Sequence, residues 1–225
     1  MRPRQQDDTE EALPCGRREA NKRDKLIRIR RAAREVFTEK GYEGATLREI
    51  AASAHVAFGT LFLYARNKRD LLLLLFDEDL SLVTQRAYAD AISTSGSLID
   101  QVMAFFAEIY AFFAQTPALS RDMMREFTFS GGGIVAPRLW EEVMVIEDNL
   151  ARLVARAQED GHVTSSIAPG LVAHVFFALQ RVEIRHCLDS PEPDIAASLG
   201  RLHQQLEVVF SGLAPNRPRN GGLSY

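Results

Sequence analysis

An all-α fold follows from three features of this 225-residue sequence. Apolar residues recur at three- and four-residue steps in nearly every segment, no run is rich in alternating β-branched residues, and Gly or Pro punctuates the chain at helix-length intervals. With 46% hydrophobic and 25% charged residues, the balance is that of a globular chain able to bury a core.

In LIRIRRAAREVFTEKGY, Leu26, Ile29, Ala33, Val36 and Phe37 make one apolar stripe between arginines and predict a first helix over 22–40. Gly41 stops it, with Phe37 and Tyr42 spaced for the apolar contact of a Schellman end. Thr46-Leu47-Arg48-Glu49 is a capping box that opens a short second helix, and Ile50, Ala51 and Ala54 give that helix a small-residue face. After His55-Val56-Ala57 a third short helix is expected over 58–64. Asn67, with Asp70 three residues on, caps a long helix through LLLLLFDEDLSLVTQRAYADAI. Further helices are expected over 97–115, 118–130, 135–160, 169–188 and 193–213. The ends lack periodicity, so the expected organisation is a disordered tail (1–20), a three-helix domain (21–66), a larger helical domain (67–214) and a second disordered tail (215–225).

The formal net charge of −3 conceals an asymmetry: residues 17–70 carry +7 and residues 71–225 carry −8. Only the first part is built to meet a polyanion. The most apolar stretch, VMAFFAEIYAFFA, is too short to span a bilayer and contains Glu108. No apolar signal-type run occurs near the start, and Cys15 and Cys187 make neither a metal spacing nor a disulfide framework. A cytoplasmic protein without membrane association is the expectation.

Two short helices joined by a tight turn, the second carrying groove-sized side chains in HVAFGTLFLYARNKRD, form a helix-turn-helix whose second helix suits the DNA major groove. Thr60 and the aromatic edges of Phe58, Phe62 and Tyr64 can meet bases, sugars or thymine methyls. Gly59 permits close backbone approach, and Lys68 at a helix start can meet a phosphate.

The stretch GYEGATLREIAASAHVAFGTLFLYARNKRDLL resembles the DNA-binding domain of the tetracycline-repressor (TetR) family of bacterial transcriptional regulators, specifically over residues 32–75. The resemblance implies a homodimer that binds a palindromic double-stranded DNA operator, usually represses, and is released by a small molecule in a helical C-terminal domain. By position, Thr46 matches a phosphate-binding capping residue and Arg48 a base or backbone contact, while Phe58, Gly59, Thr60, Phe62, Leu63 and Tyr64 fall on the recognition helix and Lys68 on a phosphate-binding lysine. Three positions depart from the pattern: His55 stands at a turn glycine, Ala57 at a hydroxyl cap and Phe62 at a tyrosine.

Aromatic and sulfur side chains concentrate between residues 100 and 145, and the resemblance places an effector cavity among these helices. Phe106, Tyr110, Phe113, Met124, Phe127, Trp140 and Met144 are the candidate lining, with Glu108, Arg121 or His174 as polar groups and Gly131-Gly132-Gly133 as a loop able to open. The same side chains at helical spacing would also serve as plain core. The last two long helices carry apolar stripes, including Leu171, Val175 and Val182 and then Leu202, Leu206 and Val209, that suit either an internal core or a dimer interface; the resemblance favours the dimer.

An enzyme is the rival class. His162, His174, His186 and His203 lack a paired carboxylate, a nucleophile or metal spacing, and no phosphate loop or dinucleotide fingerprint occurs, so no catalytic residue, metal or cofactor is expected. A ligand-binding or adapter protein with a degenerate helix-turn-helix is the other alternative, motivated by His55, Ala57 and Phe62.

Overall fold

The computed structural model describes residues 14–128, 133–163, 166–190 and 192–213. Among these residues it contains nine helices and no strand: α1 (Pro14–Gly44), α2 (Leu47–Ser53), α3 (Phe58–Leu61), α4 (Lys68–Ser93), α5 (Leu98–Ala114), α6 (Pro117–Thr128), α7 (Ala136–Glu159), α8 (Pro169–Asp189) and α9 (Ile195–Leu213). The chain divides into two compact units, the first ending at Tyr64 and the second beginning at Ala65. The expected boundary after residue 66 thus falls two residues late. The Arg66 amide donates to the Asp70 carboxylate at 3.0 Å, which ties this short linker to the start of α4.

In the first unit α1 starts at Pro14, well before the expected residue 22, so residues 14–20 are helical rather than a disordered tail. Residues 18–25 are exposed on every side and rich in Arg, Lys, Glu and Ala. Such residues favour a helix by propensity while burying no stripe, and periodicity is silent where nothing is buried. Residues 1–13 and 214–225 of the expected tails lie outside the described residues. Ile29, Ala33 and Phe37 are buried, as the stripe requires. Gly41 leaves helical geometry at φ 71°, a conformation that costs glycine little. The Phe37 and Tyr42 rings then pack 5.7 Å apart.

In the second unit α4 is apolar all round at its start: Leu71 to Phe76 are all buried. A helix of that kind belongs in the middle of a bundle, and α4 packs against both α5 and α7. Asn67 caps it through the Asp70 amide at 2.8 Å, and Ser97 with Asp100 forms a complete capping box on α5. Phe105, Phe106, Tyr110, Leu150, Leu153 and Phe176, from α5, α7 and α8, are buried to 0–1% exposure and make the core.

Asp70 is also fully buried, and its carboxylate accepts the Ile134 amide at 3.2 Å. Gly133 beside it has φ 114°, and a Cβ there would come within 2.1 Å of Asp70 Oδ1. The chain before α7 therefore lies against the start of α4, where only glycine fits. One turn further along, Arg138 of α7 meets the buried Asp77 of α4 at 2.6 Å. Gly131 and Gly132, the rest of the triple glycine, lie outside the described residues. Among the described residues no single helix is long and apolar enough to cross a membrane.

Candidate nucleic-acid interface and effector crevice

The turn between α2 and α3 is built from backbone bonds. The His55 amide donates to Ala52 and the Val56 amide to Ala51, both at 3.0 Å, which is the bond pattern of a Schellman end with His55 as its left-handed residue. His55 has φ 52°. The departure from glycine noted in the sequence is thus met by His55 adopting the glycine-like conformation. Arg28 of α1 supports the turn, donating to the Ala54 and His55 carbonyls at 3.2 and 3.3 Å. Nothing in the sequence signals this role, because the partners are 26 and 27 residues away and the acceptors are backbone atoms. Replacing His55 by Gly relieves the left-handed strain, and a gain of about 1 kcal/mol in unfolding free energy is expected. Urea unfolding of the two proteins side by side checks it; an unchanged or lower midpoint for His55→Gly would show that the imidazole makes a compensating contact.

Thr46 and Glu49 form the capping box: the Glu49 amide donates to the Thr46 hydroxyl at 3.3 Å, and the Thr46 amide donates to Glu49 Oε2 at 3.0 Å. Lys40 Nζ pairs with the other carboxylate oxygen at 2.6 Å. Those bonds, Lys40 first and Thr46 second, hold the Glu49 carboxyl below its ordinary value and raise Lys40. Ala57 caps α3 without a side-chain bond, as its methyl dictates.

α3 is one turn long and ends at Leu61, short of the expected residue 64. Only Leu61 of α3 is buried, and Leu63 and Tyr64 continue through tighter bonds to the carbonyls of Thr60 and Leu61. Phe58, Phe62 and Leu63 are 39%, 41% and 77% exposed. Phe58 and Phe62 meet edge to face at 5.1 Å, and the Arg48 guanidinium sits 5.2 Å from the Phe58 ring centre. Thr60 and Gly59 share this end of the unit, with Gly59 exposed and nothing within 4 Å of where a Cβ would stand. A large apolar surface next to an arginine is costly in water unless something flat covers it. Tyr64 is different. Its hydroxyl donates to the Lys22 carbonyl of α1 at 3.2 Å, so it braces the unit instead of presenting a donor to a base. Lys68 is the first, partly exposed residue of α4 and belongs to the second unit.

The second unit holds an apolar crevice of about 60 Å³ between α4, α5, α6, α7 and α8. Of the candidate lining, Phe113, Met124 and Phe127 reach it. Phe106 and Tyr110 do not: they are core side chains, and the Tyr110 hydroxyl points to the Gln180 carbonyl at 3.5 Å. Trp140 stacks on the far side of the lining, 4.7 Å from the Phe127 ring, and is 46% exposed, while Met144 is 70% exposed and away from the crevice. Leu80, Leu139, Val143 and Ile146 supply the walls from α4 and α7. The polar lining is Gln180 and Arg181, and none of the polar groups expected from the sequence. Glu108 is not in the lining, His174 faces Glu147 at 3.3 Å on the exposed side of α8, and Arg121 donates to the Leu188 and Ser190 carbonyls, closing the end of α8. Arg121 does line a second cleft, of about 220 Å³ between α6 and α8, which shares Met124 with the crevice.

A capped, sharply turned helix pair with an exposed aromatic and basic end is a helix-turn-helix, and a helical unit with an apolar crevice follows it in the chain. The family model "Bacterial regulatory proteins, tetR family" matches residues 29–75, most of the first unit and the start of α4. The Fatty acid metabolism regulator protein of Bacillus subtilis (strain 168) is 42% identical over 69 residues, which are 31% of this chain and 36% of that protein, so the chain matches only about a third of that relative's length. In fold, the chain is similar to FadR of Thermus thermophilus (TM-score 0.67, 22% identity, covering 88% of this chain and all of that one). It is also similar to FadR of Bacillus subtilis (TM-score 0.65, 22% identity, covering 83% and 98%).

Proposed function

We propose that this protein is a ligand-responsive DNA-binding transcriptional regulator, acting in the cytoplasm as a repressor that binds a palindromic operator as a homodimer. The observation that carries the reading is the surface of exposed Phe58, Phe62 and Leu63 with half-buried Thr60, on and just after the short helix that follows a Schellman-closed turn, in a unit whose residues carry an excess of positive charge. Aromatic edges and a threonine can meet sugars, bases and thymine methyls, while Arg48 and Lys68 supply charge for phosphates. Pairing through α8 and α9 has support in their leftover apolar surface. Phe176, Leu202 and Leu206 are consumed by the internal core, but Leu171, Val175 and Val182 on α8 and Val208 on α9 remain exposed. A second copy covers that stripe and supplies the second reading head that a palindrome needs.

The effector is an apolar small molecule bound in the crevice. Its present volume of about 60 Å³ is below the several hundred Å³ that such ligands occupy, so binding must part the walls. The two FadR neighbours were solved with lauroyl-CoA and stearoyl-CoA, which makes a long-chain acyl compound the first class to try here. The DNA reading is tested by selecting bound genomic fragments and measuring operator affinity against salt. Lys68→Ala is expected to weaken binding to all duplexes alike and to lower the salt slope by about one unit, whereas Thr60→Ala changes sequence preference. A Lys68→Ala protein with altered preference and an intact slope overturns the phosphate assignment, and a wild-type protein with no salt-dependent palindrome binding overturns the function.

A further inference from the structure

Among the residues lining the crevice, Arg181 is out of place. It is surrounded by Phe127 and Phe177, whose ring centres lie 5.9 and 5.7 Å from its guanidinium carbon. Burial lowers its pKa, against a raising influence from Glu147, whose own carboxylate is held at 3.3 Å from His174. A guanidinium carries five donors. Here the described bond is a long one, 3.4 Å from Nη2 to the Thr128 hydroxyl. Arg181 is half-buried: the aromatic faces cover its plane, and the edge that carries its donors stays open to solvent at the mouth of the crevice.

Thr128 also lines the adjoining cleft, together with Arg125 and Arg185. Arg185 lies one helical turn beyond Arg181, with Asp189 at 3.8 Å; Arg125 faces Asp122 and Glu126 at 3.3 and 3.7 Å. The cleft therefore contains its own counter-charges, and Arg181 stands at the junction where the apolar crevice ends and this charged cleft begins.

Building on the effector reading above, we propose that crevice and cleft form one bipartite site for an anionic amphiphile, with the apolar chain between α4 and α7 and the anionic head group on Arg181, extending toward Arg185. A bidentate anion would fill the in-plane donors of Arg181 while the two phenyl rings hold its plane. A neutral molecule of the same shape would displace water from those donors without replacing its bonds, which is the expensive case. Arg181 is thus the residue that sets selectivity for charge, while the crevice sets selectivity for length.

The test uses the intact protein and its single tryptophan, because Trp140 stacks on Phe127 of the crevice wall and its fluorescence reports filling without DNA. Laurate, lauroyl-CoA and 1-dodecanol are titrated in turn. An anionic form is expected to bind about 10- to 100-fold more tightly than the alcohol, the range of a charged hydrogen bond. Arg181→Met should erase that preference while leaving dodecanol affinity in place, which also shows the crevice intact; if dodecanol binding is lost as well, Arg181→Lys, which keeps charge without the planar fork, decides by retaining only part of the preference. Loss in Arg181→Met points to a carboxylate at the chain end, and loss in Arg185→Met to phosphates farther out. Dodecanol binding as tightly as both anions, or a preference that survives both substitutions, overturns the head-group site while leaving the effector crevice standing. Failure of all three compounds to bind overturns the crevice reading and this proposal together.

Discussion

Phe106→Ala is expected to lower unfolding free energy by about 3 to 5 kcal/mol, the cost of removing a large ring from a packed interior. Phe106 is 1% exposed, meets Phe105 edge to face at 5.7 Å, and borders no part of the crevice. Phe105, its ring partner, is fully buried, so little collapse is available to reduce the loss. Met144→Ala is the counterpart: at 70% exposure it should change stability by no more than about 0.5 kcal/mol. Urea unfolding separates the two. A Phe106→Ala protein that unfolds like wild type but no longer binds an amphiphile would return Phe106 to the effector site and show that the crevice extends deeper into α5.

That contrast marks where the sequence is informative. Local backbone chemistry reads well, because a cap needs only residues three apart: Thr46 with Glu49 and Asn67 with Asp70 both form the caps their spacing suggests. His55 likewise occupies the left-handed position expected of the residue that replaces a turn glycine. Radial position reads poorly. An aromatic residue on a helix that is apolar over much of its circumference can face core, crevice or solvent, and Tyr110, Phe113 and Trp140 fall one in each. Tertiary neighbours decide it: α8 contributes Phe177, Gln180 and Arg181 to the crevice from beyond the end of the segment with the aromatic density. The partner of Tyr64 is hidden for the same reason, since it is the carbonyl of Lys22, 42 residues away, and a backbone acceptor leaves no trace in side-chain pattern. Exposed helix, as in residues 18–25, is the third blind spot, where propensity acts and periodicity does not.

Operator DNA and the effector should weaken each other's binding by one common factor, within the roughly 5- to 150-fold range of such couplings. The physical route begins in the crevice, whose α4 wall is Leu80 and whose α7 wall is Leu139, Val143 and Ile146. Only about 60 Å³ is open, so a chain of ten or more carbons can enter only by moving these walls apart. The first turn of α7 is not free to yield by itself: Arg138 holds Asp77, and the Ile134 amide holds Asp70, both on α4. Displacement of α7 is therefore carried to the start of α4, where Lys68 lies two residues from Asp70. A ligand that favours one position of α4 favours one placement of its first residues, Lys68 among them, and this is the proposed route to the DNA-binding end of the chain. Titrating lauroyl-CoA and laurate against Trp140 fluorescence, with and without a saturating operator duplex, measures the factor from one side; operator binding at saturating ligand measures it from the other. Agreement of the two within error is the expected result. Ligand affinities that are identical with and without operator would disconnect the crevice from DNA binding, and the ties from Asp70 and Asp77 to α7 would then be supports of the fold and nothing more.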